Sequence, residues 1–341
     1  MKKSFLTLVS STFLLAAGIV SAQAADAIVA APPEAPANGV QICDAFGTGY
    51  FYIPGSETCM KIGGRIAVTA GYDSFLDAGY SSVEARMDVD TKSDSELGTI
   101  GTKIRLSSQG NLDAYTLGGV PNREEGVELA YITVGPAFAG YKESLINKDI
   151  LYGDSLDLET YLGSLNTTTI GFLADNLGGG FYAGLAVENR DRDNGLETAV
   201  YRDGNAPDIA GRFGIAGQSW GGADFSALYS TETDDYLLKA TADLKAFDKA
   251  DFRLTAGYGD TDNAGDYYIL AAAGKYAFTD KVSAFTGVSY LHGDAIEDVW
   301  TANLGASYAL ATNFDVKGEA YYTDWKSDDT VGTKLTFVRS W

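Results

Sequence analysis

A single histidine, His292, and only two cysteines, Cys43 and Cys59, leave this 341-residue chain without the ligands of a zinc site. His292 lies beside Gly293 and Asp294 at the end of a strand-like run, away from any serine–histidine cluster that nucleophilic catalysis would need. Calcium-like stretches occur at Asp191–Gly195 and Asp260–Gly265. Neither is followed by the bidentate acid of a calcium loop; counted from Asp260, that position holds Ala271. The residues therefore predict no enzyme, no resident metal and no cofactor. Bases are few: 25 Lys and Arg face 46 Asp and Glu, a net charge of −21, which argues against a nucleic-acid partner. Proline (7) and methionine (3) are scarce, while glycine (40) and tyrosine (21) are plentiful, a balance that suits a β-rich, aromatic-girdled protein.

Long apolar runs are missing as well, except at the start. Lys2 and Lys3, the apolar stretch Phe5–Val20 and the small-x-small site Ala22-Gln23-Ala24 predict an export signal over 1–24. Removing Lys2 and Lys3 takes the charge from −21 to −23 (−21 − 2). Beyond Ala25 nothing is long and apolar enough for a membrane helix, so a membrane location would require a closed barrel. In an exported protein the two cysteines are expected to pair. The loop between them, with Pro54-Gly55 as its turn, would then be stapled, a stabilisation of about 3 kcal/mol in the chain-entropy picture.

What is present is alternation. From Met60 onward apolar and polar residues exchange places at period two, as a barrel strand demands. Ile62, Ile66, Val68 and Ala70 oppose Lys61, Arg65 and Thr69. Val83, Ala85 and Met87 oppose Glu84, Arg86 and Asp88, and Ile104 and Leu106 oppose Lys103 and Arg105. Strands are predicted near 61–72, 82–91, 97–108, 126–134, 137–142, 166–174, 180–190 and 208–216. The second half adds 223–231, 235–246, 250–260, 266–278, 282–292, 299–308, 313–324 and 333–341, sixteen in all. Short links near 92–96, 135–136, 175–179, 247–249 and 279–281 alternate with longer ones near 73–81, 109–125, 143–165, 191–207 and 325–332. That rhythm predicts an all-β, up-and-down antiparallel transmembrane barrel over 60–341, preceded by a periplasmic leader over 25–59. The run Lys334–Trp341 ends on an aromatic residue, as a final strand that pairs with the first would.

The stretch Val40-Gln41-Ile42-Cys43-Asp44-Ala45-Phe46-Gly47-Thr48-Gly49-Tyr50-Phe51-Tyr52-Ile53-Pro54-Gly55-Ser56-Glu57-Thr58-Cys59 resembles the amino-terminal signature of the alphaproteobacterial, rhizobial-type trimeric porins. Ala25–Ala30 is similar to that family's mature start, Leu129–Ile132 to the strand before its constriction loop, and Phe337–Trp341 to its carboxy terminus, which more often ends in Phe. The resemblance implies a sixteen-stranded barrel and a homotrimer in the bacterial outer membrane, among its lipid and lipopolysaccharide. It also implies a long third loop, here about 143–165, folded into the lumen. The function implied is general diffusion of small hydrophilic solutes and ions, the alternative being a substrate-specific channel. On that plan the polar-face bases Lys61, Arg65, Arg86, Lys103 and Arg105 would form one wall of a constriction. Glu143, Asp149, Asp154, Asp157 and Glu159 would form the other. With acids in excess in the loops, a mild cation preference is expected.

Overall fold

In a computed structural model, the residues described here are 40–341 apart from 76, 112–122, 154–157, 164, 190–205, 263 and 326–327. The expected signal at 1–24 and the leader up to 39 lie outside them, as do Asp154 and Asp157. From Ile42 onward the chain is one unit.

A two-residue strand β1 (Phe51–Tyr52) precedes β2 (Cys59–Asp73), β3 (Ala78–Ser95), β4 (Gly98–Asn111), β5 (Arg123–Val134) and β6 (Ala137–Glu143). Next come β7 (Asn166–Ala174), β8 (Phe181–Asn189), β9 (Asp208–Gln218), β10 (Gly221–Ser230), β11 (Tyr236–Phe247) and β12 (Ala250–Thr261). The last are β13 (Gly265–Ala277), β14 (Val282–Gly293), β15 (Val299–Ala311), β16 (Phe314–Trp325) and β17 (Asp328–Ser340). From β2 to β17 each strand pairs antiparallel with the next, and β17 returns to β2 with Ser340 opposite Arg65. The sixteen expected strands are thus all present in one closed sheet. β1 pairs with β2 outside the ring, and its Phe51 also bridges to Ile42.

Closure reaches the last residue. Trp341 and Gly64 exchange backbone hydrogen bonds at 3.1 and 3.3 Å. A Cβ on Gly64 would stand 2.4 Å from the Arg86 carbonyl oxygen and 2.6 Å from the Trp341 ring, so only glycine admits this contact.

Alternation sorts the side chains by face. Ile62, Ile66, Val68, Leu254, Leu270 and Leu304 stand exposed on one side. Thr241, Thr255, Ser289, Thr301 and Asn303 are buried on the other, with hydroxyl pairs such as Thr241–Thr255 at 3.3 Å. An apolar belt of this extent is costly in water and at home in hydrocarbon. The polar face is covered in turn by the segment after β6: Leu145, Ile146, Ile150, Leu151, Leu158 and Leu162 pack with Leu237, Tyr267, Ile269, Leu291 and Val299 as the principal buried cluster.

Two expected loops are shorter than the sequence suggested. The strands flanking the link near 73–81 reach Asp73 and Ala78, and those flanking 325–332 reach Trp325 and Asp328. Their polar residues continue the ladder, with Asp328 opposite Trp325 and Thr333 opposite Ala320. Near a sheet's end, where strands leave the apolar belt, polar side chains on both faces cost nothing, so a loop-like sequence still pairs. The expected Cys43–Cys59 disulfide is present, with Cα atoms 6.1 Å apart and both residues buried.

Candidate functional site

Register brings four of the five predicted bases into one row. Arg65 on β2 lies directly opposite Arg86 on β3, while Asp88 and Asp90 face Arg105 and Lys103 on β4. Two guanidiniums opposed across a ladder repel, and interleaved acids relieve this. Glu84 takes two hydrogen bonds from Arg65 at 3.0 Å each, and its carboxylate lies 3.2 Å from Arg86. Asp88 binds Arg105 at 2.7 Å and Lys103 at 3.3 Å, and Asp90 binds Lys103 at 3.1 Å.

Glu128 completes the row because of a β-bulge. The ladder between β4 and β5 slips between Arg105 and Leu106, which face Leu129 and Val127. Val127 and Ile132 are both exposed apolar residues although five positions apart, so the alternation reverses between them. The extra residue, Glu128, is thereby aimed at Arg86 (3.1 Å) and Arg105 (3.4 Å). Four bases (Arg65, Arg86, Lys103, Arg105) meet four acids (Glu84, Asp88, Asp90, Glu128), and the charges sum to zero, +4 − 4.

A second constellation fixes the segment after β6. Ser144 Oγ and the Leu145 amide donate to the buried Glu188 carboxylate of β8 at 2.8 and 2.7 Å. Lys148 Nζ stands 2.9 Å from both Asp224 of β10 and Asp243 of β11. Arg212 of β9 shares Asp224 at 3.3 Å, and Arg253 of β12 shares Asp243 at 2.7 Å while donating to the Asp149 carbonyl at 3.0 Å. Asn303 of β15 donates to the Tyr152 carbonyl at 2.6 Å, and Tyr267 of β13 to the Tyr161 carbonyl at 2.7 Å. Burial pushes the Tyr152 and Tyr161 phenols above their ordinary range, so both stay neutral. At Gly153 the backbone turns through φ +115°, and a Cβ there would come within 2.5 Å of Glu319 Oε1.

Of the remaining predicted residues, Asp154 and Asp157 lie outside the described ones, Lys61 and Glu143 flank the row, and Asp149 and Glu159 stand apart from it. Lys61 stands opposite Asp90 at the end of the row, with its ammonium over the Tyr50 ring at 5.9 Å. Glu143 ends β6 with an exposed carboxylate 3.9 Å from Arg105, and Asp149 is exposed. Glu159 sits in a 3-10 turn, Glu159–Leu162. His292 pairs with Asp298 at 2.7 Å, against the Tyr268 and Tyr290 rings. Among the described residues, no group of three or more His, Cys, Asp or Glu is arranged to hold a metal ion. Sequence reasoning missed Lys148, Glu188, Asp224 and Asp243. A polar residue at an inward alternation position marks Asp224 and Asp243, whereas nothing in the local sequence pairs them with Lys148.

Comparisons with known proteins agree with this geometry. Residues 26–339 match the family model described as the Porin subfamily. The chain is 32% identical to porin Omp2b of Brucella neotomae over 98% of both chains, and 31% identical to its counterpart in Brucella abortus strain 2308, with the same coverage. Among solved structures it resembles the outer-membrane channel DcaP of Acinetobacter baumannii, with TM-score 0.66, 14% identity, and 84% and 99% of the two chains covered. It also resembles an anion-selective porin from Comamonas acidovorans, with TM-score 0.58, 12% identity, and 84% and 100% covered. A third neighbour is the trimer form of OmpT from Vibrio cholerae, with TM-score 0.57, 12% identity, and the same coverage as the second.

Proposed function

We propose that in this chain, which belongs to the porin family and is a general-diffusion channel of the outer membrane, the segment at about 143–165 constricts the lumen and passage mildly favours cations. The polar face of the closed sheet lines a water-filled route, and size and charge along that route decide what crosses. One observation supports the constriction above others. Lys148 and its neighbouring carbonyls are held by side chains from β9 to β12 and β15, so the segment lies across the polar face of much of the barrel.

The sign of selectivity follows from charge and not from fold, since a neighbour of the same fold is described as anion-selective. The row of Arg65, Arg86, Lys103 and Arg105 is balanced by its own acids; Glu143, 3.9 Å from Arg105, adds one acid more, and with exposed Asp149 and an overall charge of −21 the field is acidic. In the sequence, Asp154, Asp157 and Glu159 add three further acids to the stretch 143–165. A homotrimer surrounded by outer-membrane lipid and lipopolysaccharide completes the reading, in keeping with the trimeric neighbour.

Single-channel recording of the purified protein in planar bilayers tests the proposal. Stepwise, non-saturating conductance with a reversal potential on the cation side under a salt gradient is expected. An anion-side potential would refute the selectivity, and solute-blocked, saturating current would replace general diffusion by a specific channel.

A further inference from the structure

The Cys43–Cys59 bridge holds a small hairpin against the sheet at the end where the short links lie. Inside it, Cys43 donates its amide to the Tyr50 carbonyl at 2.9 Å and Ile53 to the Thr58 carbonyl at 2.9 Å. The Tyr50 side chain is buried, though the hairpin contributes nothing to closure of the ring. Two cations converge on it: the ammonium groups of Lys61 and Lys92 lie over its ring, 5.9 and 5.5 Å from the centroid.

The ladder explains this convergence. Cys59 pairs with Lys92 and Lys61 with Asp90, and by alternation all four share the face of Arg65 and Arg86. Lys61 precedes Arg65 by four residues and stands opposite Asp90, so the cluster adjoins the short-link end of the charged row, roughly 13 Å along the strand from Arg65. Burial, reinforced by Asp90, pushes the Tyr50 phenol above its ordinary range, so the ring carries no charge of its own.

We propose that Tyr50, carried on the stapled hairpin, is a specificity-determining residue: it narrows the short-link mouth and holds Lys61 and Lys92 there as a fixed cationic pair. The proposal rests on the channel reading above. Its consequence is an asymmetric charge profile along the pore, acidic toward the segment after β6 and offset at the hairpin, where Lys61 and Lys92 stand against Asp90, Asp44 and Glu57. A fixed asymmetry of this kind makes an open channel rectify in symmetric salt, whereas a hairpin that merely fills space does not.

Current–voltage curves at low symmetric salt, with reversal potentials under a gradient, would be recorded for the intact protein, Tyr50→Phe, Tyr50→Ala and the double variant Lys61→Gln/Lys92→Gln. Tyr50→Phe keeps the ring and should match the intact channel. Tyr50→Ala should conduct more and rectify less. The double lysine variant should raise the cation-to-anion permeability ratio roughly twofold, as two charges ~10 Å from the ion path do through screened water. Intact current–voltage behaviour in Tyr50→Ala would overturn the proposal. Should Tyr50→Ala fail to fold, an unchanged permeability ratio in the double lysine variant overturns it equally. A silent intact protein would instead refute the channel reading itself.

Discussion

Replacing Lys148 by methionine removes the charge that ties the segment after β6 to the sheet and keeps most of the side-chain volume. Two ion pairs at 2.9 Å are lost, one to Asp224, whose side chain is only 2% exposed. Removing one partner of a buried pair costs about 3–5 kcal/mol. Here Arg212 at 3.3 Å and Arg253 at 2.7 Å stay to compensate Asp224 and Asp243, so a loss below that range, about 2 kcal/mol, is expected. Against this, Ile146, Ile150 and Leu151 remain buried, and each such side chain is worth about 1.5–3 kcal/mol. The segment should therefore stay docked most of the time, while its release equilibrium rises about 30-fold, the factor that corresponds to 2 kcal/mol. Single-channel records should show brief excursions to a larger conductance, more frequent than in the intact protein, with the barrel's resistance to heat in detergent unchanged. Quiet traces at the intact conductance would refute the clamp. Loss of the whole barrel would show that Lys148 supports the wall and not the segment.

Three further outcomes follow. Glu128→Gln leaves the row of four bases with three acids, so the reversal potential should move toward anions; an unchanged potential would mean the row lies away from the ion path. Gly153→Val forces a β-branched residue into φ +115° beside Glu319, a strain of about 1–3 kcal/mol before any clash; it should raise conductance without lowering the temperature at which the barrel unfolds. Gly64→Val meets backbone 2.4 Å away at the closing seam; gel-shift unfolding in detergent should occur at a clearly lower temperature than in the intact protein.

The one-dimensional pattern determined the barrel. Alternation from Met60 to Trp341 marks all sixteen ring strands, because a period of two is a local property that each strand shows by itself. The paired cysteines and the Pro54-Gly55 turn were legible for the same reason. So was the face on which Arg65, Arg86 and Arg105 stand, but not what neutralises them: that depends on register between strands and on a bulge that adds Glu128 to the row. The segment after β6 shows the limit most clearly. Its sequence advertises acids, yet the group that anchors it is Lys148, whose partners lie 76 and 95 positions further on, 224 − 148 and 243 − 148. Alternation fixes which way a side chain points; only closure of the ring decides what it meets, since partners distant in sequence are brought together by the sheet as a whole.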